Sequence, residues 1–491
     1  FEEDGYAVNT FLNCDGCETD FRDYGIVARA IVDTSNGELD FKARYSEVDA
    51  GSLAFNASLA LIDAAALNPL FYADPNDHEF VYINRNDPTN EQETLNVSVK
   101  GVFDTSMGEL TAYLAHNDAK NYFLGAGTSN AFGIYNANPL CLSEYNSAAT
   151  NGDRPVPAPF FYVPGNIGAS FLPPYPPISC GGYQYQQRDQ EDTSFEMRLS
   201  SSQDQDLRWM IGVNYIDVDR QLVVAYSGDL GLGASPRGFN PTAGPNPTDL
   251  LFWDNFDTKV MSLYGQIEFD LTDTVELALA GRYDREKRSV SNRVPAIANS
   301  GLNLNLQNPP FSGTPGLLNA ALAGGELPTR RESFTQFQPK ATLSWAVSDA
   351  VNAYASYGVG FRSGGFNSVG TSATLNFWFN SDFVVDPVNG LPVAAGLQIE
   401  DEYDKEVSTS VEAGIKADLM DGRLRVNAAV FKTDVEDNQF FEFFAGPFGL
   451  LRTVTTIDDL TISGFEADAT YLATENLSLY GGIGLLDSEI E

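Results

Sequence analysis

Hydrophobic and polar residues alternate one by one over long stretches of this chain, and the alternating stretches come in pairs. Between Lys259 and Asp284, Met261, Leu263, Gly265, Ile267, Phe269 and Leu271 fall on one side of an extended backbone. Ser262, Tyr264, Gln266 and Glu268 fall on the other. After a turn at Thr272-Asp273-Thr274, Val275, Leu277, Leu279, Gly281 and Tyr283 alternate with Glu276, Ala278, Ala280, Arg282 and Asp284. Successive strand side chains point to opposite faces, so this period predicts strands with one apolar and one polar face.

The unit recurs. Ala341, Leu343, Trp345 and Val347 lead through Ser348-Asp349 into Val351, Ala353, Ala355, Tyr357, Val359 and Phe361. Val411, Ala413, Ile415, Ala417 and Leu419 lead through Asp421-Gly422 into Leu424, Val426, Ala428 and Val430. About seven hairpins, or roughly fourteen strands, are predicted. Their turns lie near Ser35-Asn36-Gly37, Ser106-Met107-Gly108, Gln203-Asp204, Thr272-Asp273, Ser348-Asp349, Asp421-Gly422 and Thr474-Glu475. Long loops are expected at about 49–90, 120–188, 221–256, 289–332, 363–403 and 438–459. Strict alternation of short turns and long loops is the habit of outer-membrane barrels. A soluble sandwich would bury the apolar faces against a second sheet. Strands of about ten residues exceed the usual soluble length and match a tilted membrane crossing. The expected fold is therefore all-β: a transmembrane, antiparallel, up-and-down β-barrel.

Composition narrows the function. The formal net charge is −38, opposite in sign to that of a nucleic-acid binder, so no nucleic-acid partner is expected. The acidity fits a solvated surface, or outer loops that bind divalent cations. Hydrophobic residues make up 43%, too many for a disordered chain. The longest apolar-looking stretch, Ser52–Leu70, is interrupted by Asn56 and Asp63, so no transmembrane helix is expected. Phe1 begins in polar, acidic sequence with no signal peptide, which suggests processing or a fragment.

Four cysteines suggest two loop disulfides, Cys14–Cys17 and Cys141–Cys180, the second bracketing a proline-rich stretch from Pro155 to Pro177. A redox role for Cys14–Cys17 is the alternative. With His78 and His116 as the two histidines, a zinc site lacks ligands, and no metal or cofactor is expected. Nucleophile-elbow, zincin and P-loop motifs are all missing, which argues against an enzyme.

Three segments carry a family resemblance. One is Pro339–Trp345, running on into Tyr354–Asn367 and including Phe361, Gly364, Gly365, Phe366 and Asn367. The second is Val411–Ala417, with Asp421–Leu424, Asn427–Phe431 and Asp437-Asn438-Gln439 after it. The third is Gly464–Ala467 followed by Glu475–Leu479. In order and spacing they resemble the C-terminal barrel half of TonB-dependent outer-membrane receptors. The stretch from about Tyr24 to Arg285 is similar more loosely, by rhythm. The resemblance implies a twenty-two-stranded barrel filled by a plug, in the outer membrane of a Gram-negative bacterium. It also implies active import of a small-molecule or metal-chelate cargo: a ferric siderophore, cobalamin, haem or an oligosaccharide. The partners implied are outer-membrane lipid and the TonB complex, reached through the plug. With about fourteen strands, no plug and no TonB box in view, the chain (1–491) is expected to be a barrel truncated at both ends, with an extracellular loop at 120–188. A passive porin-like channel and a surface adhesin or phage-receptor scaffold are the rival functions.

Inward polar positions near loop bases are the cargo candidates: Arg282, Asp284, Asn352, Arg362, Glu412 and Glu466. A wet lumen face or a contact to the plug accounts for each of them equally. Gly364 and Gly365 are expected to let the chain turn into its loop. Loop aromatics Phe160, Phe161, Tyr162, Tyr175, Phe377 and Trp378 suit stacking on a cargo ring or on one another. The acidic run Glu400-Asp401-Glu402 lacks the spacing of a calcium loop.

Overall fold

In this computed structural model the described residues are 1–9, 12–17, 19–52, 81–82, 87–126, 182–228, 237–240, 248–294, 327–372, 375–376, 380, 396–397, 399–446, 449–457 and 459–490. Among them fourteen long strands follow one another in a single antiparallel sheet. They are β1 (Phe21–Thr34), β2 (Gly37–Gly51), β3 (Thr89–Thr105), β4 (Gly108–Ala126), β5 (Gly182–Ser200), β6 (Leu207–Gly228) and β7 (Thr248–Thr272). Then come β8 (Val275–Asn292), β9 (Arg330–Ser348), β10 (Val351–Arg362), β11 (Glu406–Leu419), β12 (Leu424–Glu436), β13 (Leu460–Thr474) and β14 (Leu477–Ile490). Consecutive strands pair along the whole series from β1 to β14, so the topology is up-and-down throughout. The seven tight turns fall where the sequence places them. Gly108 shows why one of them needs glycine: its φ is +136°, and a Cβ there would collide with the Ser200 carbonyl.

The two faces of the sheet differ as the alternation demands. On β7, Met261 is 64% exposed, while Ser262, its neighbour in sequence, is 1% exposed. Leu279, Phe337, Leu343, Trp345, Tyr357, Val411 and Ile415 all stand out on the outer face. Left bare in water, such a surface would be a large exposed apolar patch, so it calls for lipid or a partner. Aromatic residues border it, with Tyr283 beside Phe337 above and Trp345 below. At ~3.4 Å per residue and a ~45° tilt, Phe337 and Trp345 stand about 20 Å apart across the band, near the ~25 Å expected of a lipid-facing belt.

The strands do not stop at the top of that band. The sheet takes in residues up to Ala126 and from Gly182, leaving 127–181 of the expected loop 120–188 outside the described residues. Both ends of the expected loop 221–256 are sheet: β6 continues to Gly228 and β7 starts at Thr248. The expected loop 438–459 is a hairpin of its own, Gln439–Gly446 paired with Gly449–Thr456. Sequence alternation misses these extensions because charged residues interrupt the outer face there, before Tyr185, Val223, Ala225 and Leu251 make it apolar and buried again. On the outer face Glu191 lies opposite Asp219, and Asp219 opposite Asp257. A crossing needs only about 9–11 residues, and β7 has 25, so its upper end stands clear of hydrocarbon.

Cys14 and Cys17 are joined as a disulfide. Cys141, Cys180, His78, Phe160, Phe161, Tyr162, Tyr175, Phe377 and Trp378 lie outside the described residues. His116 is on β4 and faces outward, with Nδ1 3.0 Å from Thr193 Oγ1.

Candidate functional site

Alternation places the polar residues of every strand on the inner face, but it does not gather the six inward candidates. Arg282 and Asp284 sit together at mid-height on β8, joined by an ion pair of 2.8 Å. Asp284 also accepts from Ser262 and Gln338, and Arg282 donates to Ser262 Oγ at 2.8 Å. Asp284 is 3% exposed, so this network belongs to the wall. Asn352 lies one residue from the start of β10, beside the short turn, and so at the opposite end from the loop bases where it was expected. Glu412 and Glu466 do share a concavity, of about 810 Å³, with Tyr354, Lys416, Asn427 and Asp468. Tyr354 donates to Glu412 at 2.6 Å and Asn427 to Asp468 at 3.1 Å. Among the described residues nothing donates to Glu466, which is exposed to the lumen.

Arg362 stands at the top of β10, where it anchors the 439–456 hairpin. Its Nη1 donates to the Gln439 carbonyl at 3.3 Å and lies 3.8 Å from Glu406. Gln439 in turn donates through Nε2 to the carbonyls of Ser363 and Asp404, and its backbone N–H donates to Glu406. Phe361 completes β10. The next four motif residues then fold inward. Gly365-Phe366 pair with Glu402-Tyr403 as a short two-stranded piece. The glycine pair lies where the chain leaves the wall and folds inward, and there it is required by space rather than by handedness. A Cβ on Gly364 would lie 2.5 Å from the Tyr403 carbonyl oxygen, and one on Gly365 2.5 Å from the Tyr403 hydroxyl. Phe366 packs with Val290 and Val369.

Two carboxylates fix the segment that follows. Asp254 is fully buried and accepts from the Val369 N–H at 3.1 Å and from Asn292 Nδ2 at 3.0 Å. Burial pushes its carboxyl up to about 7, with Asp401 adding to the rise and the hydrogen bonds from Asn292, Val369 and Ser368 opposing it. Asp401 accepts from the Ser372 N–H at 2.8 Å and lies 3.7 Å from Arg330, which also pairs with Glu402 at 2.8 Å. Asp401 and Glu402 of the acidic run are thus engaged by the protein's own groups.

Beneath this inward fold lies a recess of about 240 Å³, lined by Gln190, Val218, Arg220, Phe256, Thr258, Arg288, Ser289, Phe366 and Tyr403. The Arg220 guanidinium stands over the Phe256 ring, 4.7 Å from its centroid. Arg220 is exposed to the lumen, with Gln190, Val218 and Phe256 around it. Lost hydration, ahead of repulsion from Arg288 and Arg188 and against the pull of Tyr403, holds Arg220 below the usual arginine range. Burial, and then repulsion from Arg452 on the hairpin, does the same to Arg188. Arg288 is paired with Glu286 at 3.0 Å. Among the described residues no carboxylate pairs with Arg188 or Arg220. Sequence alternation missed this cluster, because Arg188 fell within an expected loop and Arg220 at the edge of another. The available signal was basic residues at inward positions in a chain with 29 Lys and Arg against 67 Asp and Glu.

Comparison with known proteins places this architecture. The chain resembles three solved receptors: the ferric yersiniabactin uptake receptor FyuA from Yersinia pestis, the ferric-catecholate import receptor Fiu from E. coli K12 and the siderophore receptor PiuA from Acinetobacter baumannii. For FyuA the identity is 13% and the TM-score 0.58, over 100% of this chain and 55% of that one. For Fiu they are 11% and 0.55, over 100% and 60%. For PiuA they are 12% and 0.52, over 96% and 57%. The chain thus spans 55% to 60% of the length of these structures. At such identity the likeness shows the fold. The family itself is shown by a sequence model, "TonB dependent receptor-like, beta-barrel", which matches residues 43–489. With that match over most of its length, the chain belongs to the TonB-dependent receptor β-barrel family.

Proposed function

We propose that the chain forms the wall and outer mouth of an outer-membrane receptor, in a Gram-negative bacterium, that imports a scarce nutrient with energy delivered through TonB. The observation that carries this reading is the match of residues 43–489 to a receptor-barrel family, joined to a recess above the lipid-facing band that holds Arg220 and Arg288. Arginines at a mouth also serve a passive anion-selective pore, so conductance is what separates that reading from energised import. Cargo of the siderophore class fits the names of the solved neighbours, which specify ferric chelates. The plug and its TonB contact belong to the receptor as a whole. The segment between Ala126 and Gly182 joins the mouth ends of β4 and β5 and is assigned to the extracellular side.

The test is growth of the source bacterium under iron limitation, with and without an intact chain and with and without TonB. Loss of growth in both mutants supports energised import. Unchanged growth on limiting iron, cobalamin and oligosaccharide, together with steady conductance of the purified protein in planar bilayers, overturns it in favour of a passive channel.

A further inference from the structure

The recess has a sign. A chain of net charge −38 repels anions at long range, yet Arg220 and Arg288 line one recess, Arg188 lies on the neighbouring strand two residues from Gln190, which faces Arg220, and Arg452 lies within electrostatic reach of Arg188. Crowding like charges where hydration is reduced is unfavourable for the empty protein. A multiply negative ligand relieves that cost, because guanidinium forks bind carboxylate and phosphate oxygens two at a time. Glu286 neutralises one of the four; Arg220 and Arg188 keep their charge unmatched among the described residues.

Size sets what can enter. The volume of about 240 Å³ lies just under the ~300–1,000 Å³ typical of pockets that enclose a whole drug-sized ligand. It suits a small polyanion, or the charged end of something larger. The Phe256 ring backs the Arg220 guanidinium and leaves its edge N–H groups free for oxygen ligands. The Tyr403 hydroxyl lines the same recess and supplies one more donor. Arg452 approaches from the hairpin that Arg362 and Gln439 anchor, so some of the positive rim rides on an element separate from the wall.

Resting on the uptake reading above, we propose that Arg220 and Arg288, with Arg188 and Arg452 beside them, form an anion-binding subsite. It takes the oxygen-rich, multiply negative end of the cargo, of polycarboxylate or phosphate type.

The test is titration calorimetry on the purified full chain in detergent, with citrate, iron(III)-citrate, pyrophosphate and, as a neutral control, maltotriose. Citrate or pyrophosphate should bind and weaken as salt is raised, and maltotriose should not bind. Binding of iron(III)-citrate alone assigns the subsite to a metal chelate; binding of citrate alone assigns it to the free anion. Arg220→Gln should weaken binding about ten-fold or more, and Arg220→Lys should keep some of it. Arg425→Gln, at the opposite end of the wall, should leave binding unchanged. If Arg220→Gln does not fold, Arg452→Gln on the exposed hairpin carries the same test. Equal binding of maltotriose and the anions, or full affinity in both arginine variants, overturns the proposal. Anion binding without TonB-dependent growth would sink the uptake reading and keep the subsite. TonB-dependent growth that Arg220→Gln leaves untouched would do the reverse.

Discussion

The side-chain amide of Asn367 pairs with the backbone of Val454 as another strand would. Asn367 Nδ2 donates to the Val454 carbonyl at 2.8 Å, and the Val454 N–H donates to Asn367 Oδ1 at 2.8 Å. The same Nδ2 also donates to the Glu400 carbonyl at 2.9 Å. One side chain thus ties the 439–456 hairpin to the inward fold at 363–372. Asn367→Ala leaves backbone groups of Val454 and Glu400 without their partner, at a cost of about 1–3 kcal/mol for each group that water does not reach. We expect amide exchange at Val454 to quicken and protease to cut the hairpin sooner, while the wall strands keep their protection. Unchanged exchange at Val454 would show that the tie is dispensable.

Leu279 and Ala280 test the facing of the wall. Leu279 stands on the outer face at mid-height and Ala280 on the inner one. Leu279→Arg places a charge in lipid and should cost roughly 2–4 kcal/mol of assembly. Ala280→Arg points into the lumen and should assemble normally. Folding yield into vesicles, read from the heat-modifiable gel shift, separates them; equal yields would refute the assignment.

Asp254 predicts a pH dependence. Its carboxyl is raised from 3.8 to about 7, so the folded protein holds a proton there that the unfolded chain has lost. Stability from this group is present in full below about 4 and is lost as pH rises through about 7. The ceiling is about 4 kcal/mol, at ~1.4 kcal/mol per unit. The groups facing it are Asn292 on β8, Ser368 and the Val369 N–H on the inward fold, and Asp401, itself held by Arg330. Exchange at the Val369 amide, corrected for the intrinsic rate, should be slower at pH 5.5 than at pH 8. Asp254→Asn should flatten the difference; a slope that persists in the variant assigns the effect elsewhere.

Gly364 is predicted to tolerate no side chain. A Cβ there meets the Tyr403 carbonyl and the Phe334 ring at 2.5 and 2.6 Å. Gly364→Val should displace the Glu402-Tyr403 pairing at a cost of about 1–3 kcal/mol. Tyr403 fluorescence exposure or local exchange reports it, whereas wild-type protection at Phe366 would show that the segment adjusts freely.

What the sequence made legible follows from where water lies. Within the lipid-facing band, the outer face is apolar and the inner face wet, so Leu279 and Ala280 announce their sides and every turn could be placed. Higher up, charged residues interrupt the outer face before a buried apolar cluster of Tyr185, Val223 and Leu251 closes it. There Asp217 and Asp219 on the outer face alternate with Val218 and Arg220 on the inner, and period two loses its contrast. The upper halves of β6 and β7 therefore read as loop, and Arg220 with them. The Asn367–Val454 tie joins residues 87 apart and leaves no local trace at all. The inward position of Glu412 was readable, whereas its partner Tyr354 depends on strand register.

The continuation of the strands above the hydrocarbon separates two tasks by height. The belt of Leu279, Leu343 and Ile415 answers only to the lipid, and the recess of Arg220 and Arg288 only to what arrives from outside. A change of diet can rewrite the upper storey residue by residue without endangering insertion, and a change of membrane thickness can rewrite the lower one without altering what is captured.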